Sequence, residues 1–265
     1  MSAPATVAQE LALRLDRAWE ERAPIRPLSE TDSLALPEDA YEIQRLWTEL
    51  RRRRGDRSIG HKIGLTSAAM REQLGVYEPD YGCLWESRFH PRQDAPVEIP
   101  HDRFIQPRVE GELAFLMARA LPDREVDAED VLAATAAVAV AIEVIDSRIE
   151  NWRIQLVDTI ADNASYGAVA LGPWSTELAA CDLRRIRLRV SCDETPVTEG
   201  RGEAALGNPA RCVAWLANKL RSYDSGLAAG DVVLSGALAG AVPASRGQAF
   251  TVEVPGQPAL TAVFA

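Results

Sequence analysis

Two segments decide the fold: Pro107–Arg119, reading PRVEGELAFLMAR, and Val138–Asp146, reading VAVAIEVID. Both are apolar runs of strand length, and both carry acids among residues that belong in a core. The two-residue period of a strand sends Glu110 and Glu112 to the same face. Glu143 comes from an independent strand, and burying its charge alone is costly without a compensating cation. Three carboxylates facing one cavity suit a hard divalent ion with oxygen ligands, Mg2+ or Mn2+. An exposed strand edge would also explain Glu110 and Glu112, and a salt bridge would explain Glu143. The three together favour the metal.

Working outward, SIGHKIGLT (Ser58–Thr66), YEPDYGCLW (Tyr77–Trp85), GAVALG, IRLRVSCDETPV, GDVVLSG, AFTVEV and ALTAVF read as further strands. Ser67 is placed to cap a short helix over SAAMREQLG, with Glu72 adding favourable charge. A small-residue helix is predicted over Ala128–Ala137, and PARCVAWLANKLRSY (Pro209–Tyr223) has helical spacing, with proline tolerated near its start. At the N-terminus, Val7–Trp19 and Ala40–Leu50 form two helical patterns joined by a proline-rich loop. The expectation is a mixed, β-rich α/β fold, with an N-terminal helical extension over residues 1–57 and a catalytic domain over 58–265. The order of elements disfavours a doubly wound nucleotide-binding fold, and the glycines of GLTSAAMREQLG meet neither phosphate-binding pattern.

The net charge of −10 argues against nucleic acid, because the one dense basic run, Arg51–Arg57, reads as a helix end followed by a solvated loop. No apolar run is long enough to span a membrane and no signal sequence is recognised, so a cytoplasmic address is expected. Cys83, Cys181, Cys192 and Cys212 are widely spaced and expected to serve packing. His61, His90 and His101 form no metal motif, and in a strand His61 points away from Lys62.

Lys62, in a glycine-bounded strand, can orient a carboxylate, stabilise an enolate or, with a depressed pKa, exchange protons; a surface salt bridge is its alternative. Asp80 sits in a turn before a strand, where it can relay a proton or simply close an Asx turn. Glu78 has a weaker case in the same turn. Substrate-side or supporting candidates are Leu65 beside the Lys62 strand, Asp146 paired with Arg148, Asp162 and Asn163 in a loop with Asp158, and Ser235 with Gly236. A 2-oxo acid can chelate such a metal through one carboxylate oxygen and its keto oxygen, which points to proton movement beside that carbonyl.

Taken in order, HKIGLTSAAMREQLGVYEPDYGCLW, QPRVEGELAFLMARAL, AIEVIDSRIENW, VDTIADNASYG and GDVVLSGALAGAVP resemble the 2-hydroxypenta-2,4-dienoate (2-keto-4-pentenoate) hydratase branch of the fumarylacetoacetate-hydrolase-related superfamily. The resemblance runs from Ile59 to Phe264. It implies a fumarylacetoacetase C-terminal-like mixed β core with flanking helices, metal ligation by Glu110, Glu112 and Glu143, and Lys62 with Asp80 as the acid–base pair. It implies hydration of a 2-hydroxy-2,4-dienoate, through its 2-oxo-3-enoate tautomer, to a 4-hydroxy-2-oxo acid in aromatic meta-cleavage catabolism. A homo-oligomer and functional association with a downstream aldolase belong to the same expectation. The related 2-oxo-3-enedioate (4-oxalocrotonate-type) decarboxylase is the alternative. A C–C bond hydrolase and a ligand-binding scaffold without turnover come after it.

Overall fold

The computed structural model describes residues 5–32, 34–67, 78–91 and 96–265, so the helix expected from Ser67 lies outside the described residues beyond its first position. Helices α1 (Ala5–Glu21), α2 (Leu28–Thr31) and α3 (Pro37–Arg53) come first, with Pro37 at a helix start where its missing N–H costs no intrahelical bond. The apolar faces of α1 and α3 meet through Leu11, Leu15, Ile43 and Trp47. Trp85 packs edge-on to both Trp19 and Trp47 at 5.0 Å, tying the helices to the sheet. The basic run departs from expectation at Arg51, which is buried rather than solvated. It pairs with Glu20 and Asp56 and lies over the rings of Trp19 and Trp85.

Strands β1 (Ser58–Gly64), β2 (Asp80–Trp85), β3 (Phe89–His90), β4 (Val97–Ile99), β5 (Arg108–Met117) and β6 (Thr135–Ile145) follow, with helix α4 (Ala128–Ala134) before β6. Asp127 caps α4 in a reciprocal capping box with Asp130. The expected helix end at Ala137 is corrected to Ala134, because Thr135 pairs with Met117 and joins the β5–β6 ladder. Then come α5 (Leu156–Ala161), β7 (Tyr166–Leu171), α6 (Thr176–Ala179), β8 (Arg187–Cys192), β9 (Thr195–Arg201), α7 (Pro209–Arg221), β10 (Val232–Leu234), β11 (Val242–Pro243), β12 (Ala249–Glu253) and β13 (Leu260–Phe264). The stretch IRLRVSCDETPV, read as one strand, is a hairpin whose turn at Asp193 and Glu194 has positive φ at both positions, the geometry a two-residue connection favours.

The expected mixed, β-rich architecture is borne out. One sheet has the order β2-β1-β10-β5-β6-β7-β3, with β11 on the end of β5; a second has the order β4-β13-β12-β8-β9. Leu188 and Val190 of β8 close on the back of β5 at Gly111, where a larger residue would collide with Leu188. That packing seals one face of β5 and leaves the face of Glu110 and Glu112 to line a different space. All four cysteines are free thiols, with Cys83 and Cys212 buried and Cys181 exposed. Among the described residues no helix is long and apolar enough to cross a membrane.

Candidate metal and acid–base site

Glu110 and Glu143 are direct cross-strand partners in the antiparallel β5–β6 ladder, and Glu112 is the next residue on the same face. Like charges in that relation repel. One carboxylate oxygen from each of the three lies within 4.8 Å of the others. Glu112 and Glu143 are fully buried, and Glu110 is half-buried. Glu112 Oε2 accepts a 2.8 Å bond from the backbone N–H of Gly236, whereas Glu112 Oε1 and both Glu143 oxygens accept no hydrogen bond. Buried carboxylate oxygens are rarely left that way, and this set fits a hard divalent cation in donor type and in spacing. Desolvation, reinforced by the neighbouring glutamates, raises Glu110 to about 7 and Glu112 well above the ordinary range. Desolvation also raises Glu143, against the pull of Lys62. The three cannot all be ionised at low cost without positive charge among them.

Lys62 supplies part of that charge. It sits on β1, which reaches β5 through β10, and its Nζ lies 3.3 Å from Glu143 Oε1 and donates a 2.8 Å bond to the Ala164 carbonyl. Burial alone would lower its pKa, but Glu143, Asp80, Glu110 and Glu112 outweigh burial and hold it above the usual lysine value. In the metal-free chain these carboxylates favour the charged Lys62 ammonium, the opposite direction to the depressed pKa considered from sequence. Asp80 opens β2 directly across from Gly64. A β-carbon at Gly64 would lie 2.2 Å from Asp80 Oδ1 and 3.4 Å from Lys62 Nζ, so the missing side chain lets both groups share one wall. Asp80 Oδ2 accepts from Thr159 Oγ1 at 2.9 Å, and Asp80 Oδ1 has no partner. Burial raises the Asp80 carboxyl, opposed chiefly by Lys62.

The supporting candidates fall into two groups. Gly236 holds Glu112 and needs its glycine, because its φ is +91° and a β-carbon would meet Thr66 at 2.3 Å. Ser235 beside it is fully buried with a hydroxyl that has no partner. Leu65 directly follows the Lys62 strand at φ +58°, a conformation that costs a leucine energy. Asn163 locks β2 from the other side, accepting from the Cys83 N–H and donating to the Cys83 carbonyl.

Asp146, Arg148 and Asp162 serve elsewhere. The predicted Asp146–Arg148 pairing of side chains is not formed. The Asp146 carboxylate accepts from the N–H groups of Ile105 and Gln106, while Arg148 pairs with Asp162 and also donates to the carbonyls of Asp146, Asp162 and Tyr166. Asp158 accepts from both the N–H and the hydroxyl of Ser29, anchoring α2 to α5. Glu78 is exposed and pairs with Lys219. His61 points away from Lys62, its ring 6.1 Å from that of Tyr81, and no histidine joins the carboxylate cluster among the described residues.

Two features escaped the sequence reading. Asn163, Ala164 and Ser165 are three consecutive residues with positive φ, which aim the Ala164 carbonyl at Lys62; nothing in their side chains announces it. Thr159 is the second: its bond to Asp80 joins segments 79 residues apart, a range no local pattern reports.

Residues 69–265 match the family described as "Fumarylacetoacetate (FAA) hydrolase C-terminal". The chain is 41% identical over 243 residues to the 2-hydroxyhexa-2,4-dienoate hydratase of Comamonas testosteroni, covering 92% of each chain. It is 38% identical over 249 residues to the 2-keto-4-pentenoate hydratase of Paraburkholderia xenovorans (strain LB400), covering 94% of this chain and 91% of the relative. Among solved structures, 4-oxalocrotonate decarboxylase from Pseudomonas putida G7, complexed with magnesium and adipate, superposes with a TM-score of 0.95 at 29% identity. That match covers 100% of this chain and 99% of the other.

Proposed function

This chain belongs to the fumarylacetoacetate hydrolase family, and from that premise we propose that it is a metal-dependent hydratase converting a 2-hydroxy-2,4-dienoate into a 4-hydroxy-2-oxo acid. It is an enzyme that acts on a 2-hydroxy or 2-oxo dienoate-type acid with a divalent metal, Mg2+ or Mn2+. One observation carries the reading: three clustered carboxylates, two of them buried with three unmet oxygens between them, face a space whose adjoining wall holds a lysine and a buried aspartate. Identity to the hydratases over more than nine-tenths of the chain supports the hydratase reading.

Glu110, Glu112 and Glu143 would hold the metal, which when bound draws charge onto the 2-oxygen of the substrate as a Lewis acid. The Lys62 ammonium spends one proton on the Ala164 carbonyl and faces Glu143 with another. Offered to a substrate oxygen, this fixed cation stabilises developing negative charge. Asp80 is the proton carrier, since its Oδ1 is unpartnered and burial keeps its carboxyl readier to hold a proton than a surface aspartate. In the first half of the reaction the 2-hydroxyl loses its proton and C5 gains one. In the second, water oxygen bonds to C4 of the resulting 2-oxo-3-enoate as one of its O–H bonds breaks and yields its proton to a carboxylate, and a proton is delivered to C3. Asp80 can serve both deliveries, because each places a proton on carbon while charge returns from the 2-oxygen.

A second reading has its own support: the whole-chain superposition on a magnesium- and adipate-bound decarboxylase favours loss of carbon dioxide from a 2-oxo-3-enedioate. Both reactions share the build-up of charge on the 2-oxygen, so the site alone serves either. Product mass separates them. With Mg2+ and freshly generated 2-hydroxypenta-2,4-dienoate, the expected outcome is gain of one water; loss of carbon dioxide from 2-oxo-3-hexenedioate without hydration of the first substrate would replace the hydratase by the decarboxylase.

A further inference from the structure

We propose that Thr159 is the positioning residue for Asp80, and that the buried amide of Gln44 locks the strand and the helix that bring the two together. The inference rests on the role given to Asp80 above.

Asp80 and Thr159 come from β2 and α5, 79 residues apart, and meet in a 2.9 Å bond between buried side chains. A carboxylate turns about a soft, roughly two-fold torsion, so the Thr159 bond to one oxygen, alongside the backbone N–H groups of Asp80 and Gly64, biases where the other points. The Thr159 proton engages Oδ2, and Oδ1 is left facing the wall it shares with Lys62 at Gly64. One residue further along each element a second lock repeats the pairing. Gln44 Nε2, on α3, donates to the Tyr81 carbonyl at 2.7 Å and to the Ile160 carbonyl at 2.9 Å. An amide nitrogen has two protons, and both are used to hold β2 against α5 next to the Asp80–Thr159 bond. The helices at the N-terminus thereby reach the two elements that carry the acid–base group and its partner through this buried amide.

The chemistry at stake is proton exchange beside the 2-oxo carbon. A base removes a proton from C3, the C–H electron pair moves to become the C2–C3 double bond, the carbonyl pair moves to the 2-oxygen, and a solvent proton then returns to C3. Saturated 2-oxopentanoate isolates this step, having neither a double bond to hydrate nor a second carboxylate to lose. In D2O with Mg2+, exchange at its C3 is followed by proton NMR. The expected result for Thr159→Val is a fall of about 30-fold in the exchange rate constant at saturating 2-oxopentanoate, with half-saturation changed less than about twofold, and recovery to within about threefold in Thr159→Ser. In an Asp80→Asn background, Thr159→Val should cost nothing more, the signature of two residues acting as one unit. Should the valine variant fail to fold by circular dichroism, Thr159→Ala completes the same cycle. Unchanged exchange in the substituted protein, or an equal loss in the Asp80→Asn background, would overturn the positioning role while leaving the functional reading in place. No exchange by the unaltered chain would remove that reading, and this inference with it.

Discussion

Two buried clusters of charge among the described residues are built in opposite ways. Around Arg148, the guanidinium pairs with Asp162, meets three backbone carbonyls and lies 5.3 Å from the ring centres of both Trp19 and Trp47. Asp162, pushed up to about 6 by burial, still ionises below neutral pH beside that cation. Around Glu112 and Glu143, three carboxylate oxygens accept no hydrogen bond, and Lys62 is the one cation within ion-pair reach among the described residues. A saturated cluster holds the fold, whereas one with unmet valence is kept for something that arrives from outside.

The largest expected effect separates the two by function. Glu112→Gln keeps an oxygen for the Gly236 N–H and removes one repelling charge. Magnesium-dependent turnover should fall about 10³-fold, the scale of losing an electrostatic stabiliser, while the metal-free protein unfolds at the same or higher urea concentration. Lowered metal-free stability with retained turnover would make this cluster structural too. Arg148→Ala should do the reverse and cost about 3–5 kcal/mol of stability in urea denaturation, because it strands Asp162 without its cation. A loss below about 1 kcal/mol would contradict the saturated-cluster account.

A smaller effect appears in the pH dependence. Glu110 holds its proton up to about 7 in the folded metal-free chain, against an ordinary value of 4.5. Between those values the folded state binds more protons than the unfolded one, so this contribution to stability is full at low pH and is lost as pH rises through about 7. Mg2+ replaces those protons, and the rise in melting temperature on adding it should be larger at pH 8 than at pH 5. Asp162 shifts in the same direction, but the difference with and without Mg2+ isolates the glutamates. A magnesium effect that shrinks with rising pH would refute the assignment.

Which parts of this contrast were legible in sequence follows from the range of the interactions. The shared face of Glu110 and Glu112 needs only the strand period, and Glu143 announced itself as an acid in AIEVID, so the carboxylate side was readable. Its register was not, because the pairing of Glu110 with Glu143 depends on a ladder joining distant segments. Arg148 was matched to its near neighbour Asp146, but the backbone turns that carboxylate toward Ile105 and Gln106. The Ala134–Thr135 boundary carries no periodicity because its small residues suit either state, and ladder pairing decides it. The left-handed run at Asn163–Ser165 involves no glycine and is imposed by tertiary contacts.

Binding of one divalent cation by Glu110, Glu112 and Glu143 together is tested by a crystal grown with Mn2+, through the anomalous signal of the metal. A single strong peak is expected among those three carboxylates, abolished in Glu112→Gln. No peak there, or a peak that survives the substitution unchanged, would contradict it.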